Sequence, residues 1–60
     1  MKLKFIKIED GYKVINEKKD ILGYIFLYSK WKCYVWQQNE EIIMSESCLL
    51  QVANFMHDLE

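Results

Sequence analysis

The chain has no arginine, no proline and no threonine, and its 60 residues include only two glycines, two cysteines and one histidine. Each shortage removes a class of chemistry. Without arginine, no side chain offers the planar fork that grips phosphate or guanine with two hydrogen bonds. Gly11 and Gly23 are too few and too far apart for a Gly-rich phosphate loop. Cys33 and Cys48 are too few for a disulfide scaffold and are not spaced as a close ligand pair, so reduced thiols are expected, with no metal site and no cofactor. His57 has Asp58 about 100° away around a helix, and no serine or cysteine at a spacing that would set it beside the imidazole. Glu40 and Glu41 are adjacent and have no second acid partner at a readable distance. No catalytic set emerges, and the chain is expected not to be an enzyme.

Long apolar runs are also missing. The longest, Ile21 to Tyr28, is eight residues interrupted by Gly23, against about 20 needed to span a bilayer. Met1-Lys2-Leu3-Lys4 runs into a strand pattern, not a signal segment. These features predict a soluble protein without a membrane partner. The abundant Lys, Ile and Tyr have AT-rich codons, which points to a low-GC bacterium or its phage, and so to the bacterial cytoplasm.

What is present is 52% hydrophobic residues in a single domain, 1–60, at the small end of what folds alone. Such a chain buries only about 60% of its unfolded surface. Disulfides and metals being set aside, self-association is the remaining aid, and a homodimer is expected. The charges are segregated. All eight lysines lie in residues 1–32, where Glu9, Asp10, Glu17 and Asp20 reduce them to +4, while residues 33–60 hold five acids and no lysine. Lys2, Lys4, Lys7 and Lys13 either solvate strand edges against aggregation or mark a nucleic-acid footprint.

The pattern predicts an α+β domain, a four-stranded antiparallel meander followed by one carboxy-terminal helix (ββββα). Strands are expected near 2–8, 12–16, 21–28 and 31–37. In the first, Leu3 and Phe5 alternate in one phase and Ile6 and Ile8 in the other, which implies a bulge or burial on both faces. Turns are expected at Asp10-Gly11, where a type I′ geometry would suit the glycine, at Glu17 to Asp20 and at Ser29-Lys30. A helix is expected near 46–59, because Cys48, Leu49, Val52, Phe55, Met56 and Leu59 recur at helical spacing. Ser45 is its N-cap, Glu46 favours its first turn, and Met44 with Leu49 can form a hydrophobic staple. Cys48 combines a first-turn position with a place in the apolar stripe, where a free thiol behaves as a small hydrophobe.

The third and fourth strands carry large apolar side chains in both phases. Ile21, Ile25, Leu27, Trp31, Cys33 and Val35 are expected on one surface, and Leu22, Tyr24, Phe26, Tyr28, Tyr34 and Trp36 on the other. One helix covers one face. The aromatic set Tyr24, Phe26, Tyr28, Tyr34 and Trp36 is therefore the expected interface, although a one-residue change of register exchanges it with Ile25, Leu27, Trp31, Cys33 and Val35. Its cover is a second copy, joined by faces or by edge strands, a host protein, or stacked bases with Lys30 and Lys32 on the phosphates. The acids Glu40, Glu41, Glu46, Asp58 and Glu60 can imitate nucleic acid toward a basic partner or simply solvate a face.

Ile42-Ile43-Met44-Ser45, followed by Leu49, Val52 and Met56, resembles the strand-to-helix junction of small single-strand-binding transcriptional coactivator domains. Together with the strand order, the resemblance implies a dimer whose sheet binds single-stranded nucleic acid; the missing arginine and the acidic carboxy-terminal half depart from that pattern. In size, residue choice and lack of catalytic groups the chain is also similar in kind to small phage and prophage proteins, including those that inhibit host defence factors. The preferred expectation is a non-enzymatic dimeric binding protein of that kind, and the alternative is a single-strand nucleic-acid-binding domain.

Overall fold

The computed structural model describes residues 2–60. It contains β1 (Lys4–Ile8), β2 (Gly11–Ile15), β3 (Ile21–Tyr28), β4 (Cys33–Gln38) and α1 (Glu46–Asp58). The strands form one antiparallel sheet in the order β1-β2-β3-β4, and the helix packs on one side of it. This is the expected ββββα architecture. Short loops dictate the meander, because an antiparallel neighbour is the only partner that a two- to five-residue connection can reach.

The turns differ from expectation in ways that matter for the faces. Ile8 pairs with Gly11, so Glu9 and Asp10 form the first loop and neither has a positive φ. Gly11 instead opens β2. A Cβ there would fall on the Ile25 carbonyl oxygen, so the glycine is needed for the close approach of β2 to β3. In the second turn, Asn16 Oδ1 accepts from Lys18 N and Asp20 N, each at 2.9 Å, while Lys19 takes φ 69°. The third loop has four residues, Ser29 to Lys32. Trp31 N and Lys32 N both donate to Tyr28 O, and Lys32 closes the loop at φ 55°.

Residues directly opposite in an antiparallel pair share a face. Phe5 pairs with Val14, Val14 with Gly23, Tyr12 with Ile25, and Ile25 with Trp36. These residues lie on the helix side, where Phe5 stacks on Phe55 at 4.1 Å between ring centroids and Tyr12 meets Phe55 edge-on at 4.9 Å. The core is completed by Leu3, Leu22, Cys48 and Val52, with Ile42, Met44, Met56 and Leu59 packed against it. Leu22 reaches the core through a bulge: Val14 pairs with Gly23 but Ile15 with Ile21, which leaves Leu22 as the extra residue. β1 keeps an unbroken register with β2, so its mixed phase reflects apolar residues on both faces.

The helix begins as its cap residue dictates. Ser45 is extended (φ −79°, ψ 167°) and its Oγ accepts from Cys48 N at 3.3 Å. Cys48 and Val52 are buried, whereas Leu49 is exposed although it belongs to the helical stripe. Gln51 ties the helix to the amino-terminal segment, its Oε1 accepting from Leu3 N at 3.0 Å. No helix among the described residues is long and apolar enough to cross a membrane.

Candidate interaction face

The sheet face turned away from α1 is the candidate site. Following the register across it, β1 contributes Lys4, Ile6 and Ile8, β2 Lys13 and Ile15, β3 Tyr24, Phe26 and Tyr28, and β4 Cys33, Val35 and Gln37. Phe26 faces Val35 and Tyr28 faces Cys33, while Lys13 stands opposite Tyr24. Ile6 and Ile8 are 39% and 36% exposed. The outward strand positions on this side hold two lysines and no acid. Four of the acids named from the sequence, Glu40, Glu41, Glu46 and Asp58, lie in the loop before α1 or on α1 itself, and all four are exposed. Lys4 and Lys13 on the open face and the acids before and on α1 thus lie on different layers, while the other six lysines stand outside the strands or on the covered side.

This face divides the expected aromatic set. Tyr24, Phe26 and Tyr28 lie on it, but Tyr34 and Trp36 lie on the helix side, opposite Leu27 and Ile25. Their places on the open face are taken by Cys33 and Val35. The reason is parity. A hairpin closed by an even number of loop residues pairs an even-numbered residue with an odd-numbered one, so the even residues of β3 share their face with the odd residues of β4. Trp31 is not a strand residue; it stands in the loop, 68% exposed, with its ring edge-on to Tyr28 at 5.0 Å. Lys30 and Lys32 flank it, both exposed. Phe26, Tyr28, Trp31 and Val35 help to line a shallow hollow of about 310 Å³ beside the β4 edge.

Trp36 has a structural task on the covered side. An ideal Cβ on Gly23 would lie 2.6 Å from Trp36 Cη2, so the indole occupies the space that the glycine leaves. Trp36 Nε1 is buried and has no hydrogen-bond partner among the described residues. Leu27, also on this side, is 57% exposed despite facing the helix layer. Lys7, the covered side's only strand lysine, sits over the Tyr12 ring at 5.1 Å.

The groups considered for chemistry remain apart. Cys48 is buried at the helix start and Cys33 is half-buried on the open face, both as free thiols. His57 is exposed in the last turn of α1. Among the described residues, no cluster of His, Cys, Asp or Glu could hold a metal ion. No protein-family model matches the chain, and neither a curated protein nor a solved structure matches it significantly.

Proposed function

We propose that the chain is a non-enzymatic binding module that works as a homodimer and meets a protein target through its open sheet face. The observation that supports this reading is the location of Ile6, Ile8, Tyr24, Phe26, Tyr28 and Val35 on a face over which the described residues place no helix or strand. Contiguous apolar surface rimmed by polar residues is the usual mark of an interface, and tyrosine and phenylalanine are enriched at interface centres. With its residue usage, the module fits a phage- or prophage-derived inhibitor of a bacterial host factor. The test is capture from a bacterial lysate by immobilised wild-type chain and by Phe26→Ser. A defined protein retained by the first and lost by the second supports the reading; equal retention by both rules out the open face as the contact.

A second reading, single-stranded nucleic acid on the same face, is favoured by one arrangement. Lys13 stands opposite Tyr24, and Lys4 lies on the same side, so cations are interleaved with rings that could stack bases. Trp31, against Tyr28, is the natural reporter because Trp36 is on the helix side. In a Trp36→Phe background, oligonucleotides should quench Trp31 at low salt and do so less as salt rises. Unchanged fluorescence at low salt removes this reading.

A further inference from the structure

We infer that the homodimer forms along the free edge of β4, two copies pairing antiparallel through this strand to make one continuous eight-stranded sheet. The inference rests on the dimeric reading above and specifies which surface carries it.

The sheet is open, so β1 and β4 both present unpaired backbone groups. They are defended differently. β1 carries Lys4 and Lys7 within the strand, and lysine on an edge is a common device against strand addition. β4, reading CYVWQQ, has no charged residue and no proline. Its backbone is also positioned to pair. Asn39 N donates to Leu22 O at 2.9 Å, which continues the β3–β4 ladder one step beyond Gln38. Ladder bonds recur at every second residue, so Cys33, Val35 and Gln37 turn their backbone groups toward β3. Tyr34, Trp36 and Gln38 consequently present theirs to the outside.

The charges at the two ends of β4 select a second copy as the occupant. Lys30 and Lys32 precede the strand, Glu40 and Glu41 follow it, and all four are exposed. A twofold axis through an antiparallel β4 pair brings the lysine end of each copy to the acidic end of the other. The match occurs twice by symmetry. Pairing of outward-facing residues aligns even positions with even positions, so the helix layers fall on one side of the joined sheet and the open faces on the other.

Face-to-face packing, the other way to make a dimer, lacks this complementarity. It would bring Lys4 and Lys13 of both copies into one interface whose strand positions supply no acid, and buried unpaired charge is strongly disfavoured. Edge pairing leaves the open faces free and joins them into one surface, with Val35 of both copies between the Tyr24, Phe26 and Tyr28 sets. The target surface is then completed by the second copy.

The experiment is sedimentation equilibrium with light scattering over a concentration series, with circular dichroism to verify folding. The wild-type chain should show twice its 7.3 kDa mass. Val35→Lys sets like charges near the twofold and should raise the dimer dissociation constant about a hundredfold. Lys30→Glu with Lys32→Glu, both in an exposed loop that leaves the fold intact, should weaken the dimer about tenfold, and adding Glu40→Lys with Glu41→Lys should restore it. Failure of the fourfold exchange to restore a weakened dimer overturns the inference. A dimer indifferent to the Lys30, Lys32, Glu40 and Glu41 exchanges but broken by Phe26→Lys pairs through its faces, which overturns the edge interface and keeps the homodimer. A wild-type chain that stays monomeric at millimolar concentration overturns both.

Discussion

The covered and open faces of the sheet draw on the same kinds of side chain, yet one has become a core and the other a surface. On the covered side, Phe5 and Tyr12 close around Phe55, Trp36 fills the space above Gly23, and Ile25 is wholly buried. On the open side, residues of similar apolarity are interleaved with Lys4 and Lys13, and Ile6 and Ile8 keep more than a third of their surface in contact with solvent. Hydrophobicity alone does not distinguish these faces. The difference lies in α1, which can lie against only one side and brings its own apolar stripe to that side.

Substitutions on the two faces should therefore separate stability from binding. The largest effect is expected from Ile25→Ala, which removes side-chain volume from the centre of the covered face and should cost about 2–5 kcal/mol. In a domain this small such a loss should leave much of the population unfolded, visible as a collapsed urea midpoint; a midpoint within error of wild type would show that the covered face is not the core. Gly23→Ala should cost about 1–3 kcal/mol by overpacking, since the added methyl meets both the Trp36 indole and the Gln37 carbonyl. Combining it with Trp36→Leu should recover part of that loss, and no recovery would place the strain in the backbone instead. The smallest stability change is expected on the open face: Ile8→Ser should shift folding by only about 0.5 kcal/mol, the range of ordinary surface substitutions, while reducing target capture. A large destabilisation there would mean that this face is also part of the folding core.

Local features made most of the fold legible. The strand segments were evident from their apolar runs and the turn-forming residues between them, and the helix from its stripe and the Ser45 cap, so that its expected start at residue 46 coincides with the observed one. The face assignment was less legible for an identifiable reason. Grouping the even residues 24, 26, 28, 34 and 36 treats two strands as a single uninterrupted alternation, whereas the hairpin between them reverses direction and pairs even with odd. The four-residue loop that absorbs Trp31 left this parity unchanged, because two and four are both even. Leu49 shows the same limit on the helix: periodicity places it in the stripe, yet it is 45% exposed.

The sequence by itself determined the element types, their order, the antiparallel meander and the helix cap, because each follows from local periodicity, short connections or the presence of particular side chains. Only the tertiary structure decided which face became the core, that Trp36 packs over Gly23, that Leu22 reaches the core through a bulge, and that Lys4 and Lys13 share the open face with Tyr24 and Phe26. Those outcomes depend on register and on where the helix comes to rest, which are properties of strand pairing and packing between residues distant in the chain.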